Sequence, residues 1–149
     1  MIYMQDSKIA VREPEQIANV FRGLLALEDQ IDRAKEHFYC MHLDIRSRIN
    51  LVELVSLGSL SSAIVQPRET FRRAVIQGSA SIIVGHNHPS GEPEPSDEDT
   101  TTTKLLFEAG QVLGIQLLDH IIFSGTKFFS FRSNSTHLLR NTEQKGGEQ

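Results

Sequence analysis

The stretch HNHPSGEPEPSDED, residues 86–99, follows directly on the short apolar run ASIIVG, residues 80–85. An apolar run of this length predicts a buried central strand, and the prolines and glycine that follow it require a loop. Ser96 then begins a predicted helix, which continues to about Val112 and ends at Gly114. A buried strand, a loop and a helix in this order indicate an α/β domain.

The rest of the chain shows the same mixture of helical and extended patterns. Residues 1–12 are expected to form a lead-in or an edge strand, and residues 27–35 a short helix or a connection. Helices are predicted from Pro14 to about Leu27 and over residues 67–77. Hairpins are predicted over residues 36–58 and 115–131, and one more short strand over residues 59–66. The sequence therefore predicts one α/β domain, with a mixed sheet flanked by helices.

The domain boundaries follow from these patterns. Residues 1–35 are interpreted as an N-terminal lead-in and helix, and residues 36–135 as the main domain. Residues 136–149 are polar toward their end and are expected to form a flexible tail.

Composition excludes several classes of protein. The chain has 149 residues and a formal net charge of −4, which argues against a surface built as a whole for nucleic acid. Cys40 is the only cysteine, so neither an internal disulfide nor a multi-cysteine zinc site can form. No apolar run approaches the ~18–20 residues that cross a bilayer, and the charged N-terminus does not fit a signal peptide. We therefore expect a soluble, cytoplasmic protein without a membrane partner.

The same loop region carries the candidate chemistry. His86 and His88, separated by one residue where a strand ends, point to the same side of an extended backbone. Asp99 falls in the first turn of the following helix, from which its carboxylate can face the end of the strand. Two nitrogens and one oxygen leave a fourth tetrahedral position open for water, as in catalytic zinc sites.

Each part of this pattern also has a structural explanation. Pairs of histidines spaced in this way occur by chance, and Ser96 with Asp99 fits a capping box that only stabilises a helix start. The combination of strand, histidine pair, loop and acidic first turn favours the metal site.

The residues that form this pattern carry a resemblance to a known family. His86-x-His88, seven residues, then Ser96-x-x-Asp99 resembles the JAMM (MPN+) metalloprotease signature. The longer string HNHPSGEPEPSDED, together with VELVSLGSL, VQPRETFRRAV and LLDHIIFSG, is similar to the RadC family in particular. The similarity covers about residues 36–131. It implies a JAMM/MPN-like domain in a cytidine-deaminase-like arrangement, without the N-terminal helix-hairpin-helix region of full-length RadC proteins.

The resemblance also implies roles for individual residues. His86, His88 and Asp99 would bind one zinc ion, and Ser96 would hydrogen-bond the oxyanion of a tetrahedral intermediate. The family also requires a glutamate from an earlier strand as general base. We choose Glu53, because a carboxylate inside the apolar strand LVELVSLG needs a reason to be there. The alternative is that Glu53 simply faces solvent.

Other residues allow two interpretations each. Asp119 and His120 would either orient a ligand histidine or alternate inward and outward along a strand. The arginines of the helix at residues 67–77 and of the turn near residue 47 would either contact phosphates or form solvated surfaces: Arg68, Arg72, Arg73, Arg46 and Arg48. His37, His42 and Cys40 are interpreted as structural.

Three hypotheses about function remain open at this stage. The leading one is a zinc-dependent hydrolase that cleaves a peptide or isopeptide amide in a peptide or protein substrate. The alternative is a DNA-associated protein of repair or mobile-element biology, for example a metal-dependent nuclease. The third is a metal-free scaffold. The sequence does not determine the substrate or the oligomeric state, and the ligand set alone suits iron or manganese as well as zinc.

Overall fold

The computed structural model describes residues 1–58, 65–134 and 136–139. Within these ranges the helices are α1 (Pro14–Leu25), α2 (Gln30–Arg33), α3 (Pro67–Gln77), α4 (Asp97–Leu113) and α5 (Phe131–Asn134), with a 3₁₀ turn at Thr136–Leu139. The strands are β1 (Ile2–Gln5), β2 (His37–Leu43), β3 (Ile49–Leu57), β4 (Ser81–Asn87), β5 (Gln116–Phe123) and β6 (Phe128–Ser130). Most of the short strand predicted for residues 59–66 lies outside the described residues. Of the tail predicted for residues 136–149, the 3₁₀ turn at Thr136–Leu139 is described and residues 140–149 are not.

The strands form one six-stranded sheet in the order β1-β3-β2-β4-β5-β6. Neighbouring strands are antiparallel except β4 and β5, which are parallel. Helix α4 makes the crossover that a parallel pair requires, because a tight turn cannot connect parallel strands. This mixed sheet with flanking helices confirms the predicted α/β fold class.

Each face of the sheet carries its own apolar core. On one face α1 packs Phe21 and Leu24 against β2 and β4 residues such as Met41 and Ile83. On the other face α3 and α4 cover a second cluster: Phe38, Cys40, Phe71, Ile82, Val84 and Leu106. The domain therefore has three layers, and successive residues of β4 contribute to opposite cores.

Gly85 allows α1 to approach the sheet closely. A Cβ atom at this position would lie 2.4 Å from Cε2 of Phe21. Phe21 is fully buried and stacks on Tyr39 and Phe123, so its ring has little room to move. A glycine is therefore required where β4 passes beneath α1.

Two predicted helix ends are confirmed. Gly78 and Gly114 follow α3 and α4 with φ of 67° and 71°, the left-handed conformation that glycine adopts without a steric penalty. Strand β4 is longer than predicted, since it includes His86 and Asn87, which were expected in the loop. In the described part of the chain, no helix is long and apolar enough to cross a membrane.

Candidate metal centre

The side chains of His86, His88 and Asp99 converge at the carboxyl end of β4. His86 Nε2 lies 3.0 Å from His88 Nε2 and 3.1 Å from Asp99 Oδ1, and His88 Nε2 lies 3.2 Å from Asp99 Oδ2. The donor atoms of the three residues all lie within 4.8 Å of one another, which is close enough to share a single ion. The structure therefore brings together the three ligands predicted from the sequence.

A capping box at the start of α4 holds Asp99 in place. Ser96 Oγ accepts a hydrogen bond from the backbone N–H of Asp99, and Asp99 Oδ2 accepts one from the backbone N–H of Ser96. The structural explanation of these two residues is therefore correct, and it is compatible with a metal site, because Asp99 Oδ1 still faces His86. The Ser96 hydroxyl hydrogen is not used in the capping box and remains available to a ligand.

A chain of hydrogen bonds fixes the tautomer of His86. The carbonyl oxygen of Asp99 can only accept, so the Thr103 hydroxyl donates to it over 2.7 Å. Thr103 Oγ1 then accepts from His120 Nδ1 over 2.6 Å, which leaves His120 Nε2 to accept from His86 Nδ1 over 2.8 Å. His86 therefore carries its proton on Nδ1 and presents the lone pair of Nε2 to the site.

The surroundings of His120 are consistent with this neutral, single-proton form. Its ring is fully buried, stacked on Phe131 and in edge contact with Phe38. Burial, reinforced by the nearby His86, holds the pKa of His120 well below its ordinary value.

His88 reaches the same tautomer by a shorter route. Its Nδ1 lies 2.9 Å from the carbonyl oxygen of Glu92, which can only accept. Nδ1 must therefore carry the proton, and Nε2 of neutral His88 also presents a lone pair. Two lone-pair nitrogens and a carboxylate facing one another repel unless a cation lies between them, so the donor set fits a divalent metal.

We call His86, His88 and Asp99 the triad. The pKa shifts of its residues show the same preference for positive charge. Burial alone would raise the pKa of Asp99, but its close contacts with the His86 and His88 rings outweigh burial and hold that pKa well below the ordinary range. The pKa of His88 is raised, mainly by its bond to Asp99, and the charge of Glu36 acts in the same direction. Without a metal, the site attracts a proton in place of the cation.

The structure does not place Glu53 beside the triad. Glu53 Oε1 lies 3.0 Å from His42 Nε2, and Oε2 lies 2.9 Å from Arg73 Nε. Glu53 pairs with Cys40 in the sheet, whereas His86 pairs with Phe38, so two strand spacings separate Glu53 from His86. That is roughly 10 Å across the sheet. The choice of Glu53 as general base thus has no support from its position.

Glu36 is the carboxylate that the sheet register brings close to the ligands. Since Phe38 pairs with His86 in antiparallel register, Glu36 falls level with His88. Its backbone is fixed by Asn87, whose Oδ1 accepts from His37 N over 2.6 Å and whose Nδ2 donates to Lys35 O over 3.0 Å. Glu36 was not among the site residues predicted from the sequence. The sequence signal that could have identified Glu36 is an acidic residue directly before β2, the strand that pairs with the His86-containing strand β4.

Asp119 and His120 take different roles, although both are buried. His120 holds His86, as one interpretation of the pair expected. Asp119 instead accepts from Ser130 Oγ over 2.6 Å and from Arg132 N over 3.0 Å, and so joins β5 to the start of α5.

The arginines are partly neutralised. Arg72 pairs with Glu69, Arg73 with Glu53 and Arg48 with Asp44. These ion pairs favour the solvated-surface interpretation over a phosphate-binding face.

Cys40, His42 and Glu53 form a second group whose donor atoms lie close together. Arg73 at 2.9 Å from Glu53 opposes a cation there, and burial raises the pKa of the Cys40 thiol well above its ordinary value. Ser79 Oγ also lies 3.3 Å from His42 Nδ1. Buried Cys40 and the hydrogen-bonded pair of His42 and Glu53 are therefore structural parts of the core, as predicted for His42 and Cys40.

A three-layer α/β domain with two strand-end histidines and a first-turn aspartate defines a candidate metal-binding domain. The sequence matches the RadC-like JAB domain family over residues 11–136, and the chain belongs to this family. The resemblance identified from the motifs is confirmed.

Curated relatives agree with this assignment. The chain is 41% identical over 128 residues to a UPF0758 protein of Desulforamulus reducens, which covers 86% of this chain and 54% of the relative. It is 42% identical over 127 residues to the UPF0758 protein YsxA of Bacillus subtilis, covering 85% and 53%. The chain thus spans about half the length of these relatives, and their names specify no reaction.

Proposed function

We propose that this chain is a JAMM-type hydrolase that uses a bound zinc ion to cleave a peptide or isopeptide amide. The observation that carries the proposal is the convergence of three electron-pair donors, two of them histidines whose tautomers are fixed by their neighbours. When bound, the metal supplies a Lewis acid that makes water nucleophilic near neutral pH.

The chain's own residues supply the proton transfer and the charge stabilisation. Glu36 would accept a proton from the attacking water and return it to the leaving nitrogen, since the register of β2 with β4 places it level with His88 and its charge acts on that histidine. Ser96 would donate its free hydroxyl hydrogen to the oxyanion of the tetrahedral intermediate. Its side chain can reach a substrate because Ser96 is exposed.

Elemental mass spectrometry on the purified protein and on His88→Ala and Asp99→Ala tests the site. We expect about one equivalent of zinc in the parent and a loss in both variants, because each removes a ligand. Asp97→Ala is the matched control, since Asp97 lies exposed in the same first turn of α4. Circular dichroism confirms that each variant is folded.

Hydrolysis is tested separately with a panel of fluorogenic peptides and isopeptides. Cleavage that disappears in Asp99→Ala and persists in Asp97→Ala supports the proposal. A parent protein that takes up no metal even after incubation with zinc contradicts it and favours the scaffold hypothesis. Bound zinc with cleavage of DNA rather than of any peptide favours the nuclease hypothesis.

A further inference from the structure

A cavity of about 370 Å³ opens beside the candidate metal centre. His88 is part of its wall, so the cavity adjoins the candidate metal site at this one ligand. Apolar groups from three elements line it: Leu25, Ala26, Pro89 and Phe123. Its volume suits a side chain or a small part of a larger ligand.

Arg22 brings a positive charge into this cavity and has no anionic partner within the part of the chain that the structure describes. Its Nε donates to Ser124 O over 2.7 Å, Nη2 to Lys127 O over 2.8 Å and Nη1 to Asn19 Oδ1 over 2.9 Å. All three acceptors are neutral, so they orient the half-buried guanidinium without cancelling its charge. A guanidinium held in this way is preorganised to bind an anion.

Arg33 places a second positive charge at the rim of the cavity. Its side chain is exposed, and it has no ion-pair partner among residues 1–58, 65–134 and 136–139. The cavity lining contains no aspartate or glutamate among the described residues. The two arginines thus create a positive, partly apolar cavity within a chain whose formal net charge is −4.

We propose that this cavity binds a carboxylate of the peptide substrate, next to the amide that the metal centre cleaves. This inference rests on the proposed hydrolase function. The apolar wall accommodates the aliphatic stem of an acidic residue, while Arg22 and Arg33 bind its carboxylate. The substrate carboxylate is either an acidic side chain or the free C-terminus of the peptide. A nucleic acid fits less well, because a net negative chain repels a long polyanion outside this one small cavity.

Calorimetric titration of the zinc-loaded protein with three N-acetylated peptides tests the proposal. The peptides are acetyl-Ala-Ala-Glu-Ala-amide, its Gln analogue, and acetyl-tetra-alanine with a free carboxylate. We expect at least one carboxylate peptide to bind about tenfold or more tightly than the Gln analogue, because it forms charge-assisted hydrogen bonds. The glutamate peptide and the free-terminus peptide distinguish the two sources of the carboxylate.

Arg33→Gln is the decisive variant. It should reduce the preference for the carboxylate peptide to about threefold or less, and because Arg33 is exposed its replacement should leave the fold intact. Arg46→Gln removes an equivalent exposed charge from the turn between β2 and β3, and it should keep the full preference. Arg22→Gln is less suitable, since Arg22 also holds the segment around Ser124.

Peptides recovered after each titration are analysed by mass spectrometry, so binding and cleavage are scored separately. A carboxylate preference that depends on Arg33 supports the inference, whether or not any peptide is cleaved. The absence of cleavage counts against the hydrolase proposal alone. Equal binding of all three peptides overturns the inference even where cleavage occurs. A short oligothymidylate that binds through Arg33 while the peptides do not also overturns it, and identifies phosphate as the ligand.

Discussion

Glu36 and Glu53 provide a matched test of which carboxylate moves the proton in the proposed reaction. Replacing Glu36 with glutamine should lower kcat by about 100-fold or more at unchanged zinc content, because the positioned base is lost. Replacing Glu53 with glutamine should leave kcat within a few fold. It should instead lower the free energy of unfolding by about 1–3 kcal/mol, because the bonds to His42 and Arg73 are weakened.

The two variants are compared on the peptide substrate that the panel identifies, with urea unfolding of each. If Glu53→Gln abolishes turnover in a folded, zinc-loaded protein while Glu36→Gln turns over normally, Glu53 is the general base after all. The role proposed for Glu36 is then wrong.

Thr103 contributes to the metal site through two intervening contacts. Thr103→Val removes the hydroxyl that accepts from His120, so His120 no longer has a fixed tautomer with which to hold His86. We expect zinc affinity to fall about 10–100-fold, the usual effect of losing an outer hydrogen-bond partner. Competition with a chromogenic chelator measures this affinity.

Thr101→Val is the matched control, since Thr101 is exposed on the same helix. Equal zinc affinity in Thr103→Val and Thr101→Val would show that the hydrogen-bond chain does not support the site. Loss of affinity in both would indicate a general effect on α4.

These residues differ in how far the sequence could reveal them. His86, His88, Ser96 and Asp99 lie within one short segment, so local spacing was enough to place them together. Glu36 and His120 reach the site through strand pairing, β2 with β4 and β4 with β5. Pairing register depends on contacts between distant segments, which a periodic pattern does not specify.

At the scale of elements, Gly85 controls the distance between α1 and β4. Gly85→Ala would place a methyl group against the buried ring of Phe21, so we expect it to lower the free energy of unfolding by about 1–3 kcal/mol. Gly23→Ala, on the exposed side of α1 with open space around it, should raise that free energy by up to about 1 kcal/mol.

Urea unfolding of both variants measures these changes. A neutral effect of Gly85→Ala would mean that α1 can shift away from the sheet at little cost, and that close packing does not fix its position. Both substitutions reduce the conformational freedom of the unfolded chain, but only Gly85→Ala places a methyl group against a buried ring. The comparison with Gly23→Ala therefore isolates the packing effect.

The elements also show where sequence patterns were sufficient. Helix α3 is bounded by Pro67 and Gly78, and α4 by the capping residue Ser96 and by Gly114. These residues act through local preferences, so both helices were predicted almost to the residue. Strand β4 extends through Asn87 because the backbone there pairs with Phe123 of β5, while the Asn87 side chain bonds to His37 N and Lys35 O. Local composition does not show these contacts. The order of strands in the sheet likewise depends on contacts between distant segments and could not be predicted from local patterns.

At the scale of the whole molecule, buried carboxylates link stability to pH. Burial alone would raise the pKa of Glu53, but hydrogen bonds to His42 and Arg73 outweigh it, and the net pKa is lowered. When the pKa of a carboxyl is lower in the folded than in the unfolded protein, its ionised form stabilises the fold. This stabilisation is fully present at a pH above the unfolded-state pKa, and it is lost as the pH falls through the folded-state pKa. The relevant range therefore begins near the ordinary value of 4.5 and extends below it.

We expect the free energy of unfolding of the metal-free protein to fall as the pH drops below about 5, and to fall less steeply in Glu53→Gln. The difference between the two proteins should therefore shrink as the pH is lowered, because protonated Glu53 loses the same interactions that glutamine lacks. A residual slope should remain in the variant, since the pKa of Asp99 is lowered as well. Urea unfolding at several pH values, with a chelator present throughout, measures both curves. Parallel curves would show that Glu53 is not stabilised by His42 and Arg73, and that the acid sensitivity of the fold originates at other carboxylates, such as Asp99 and Asp44.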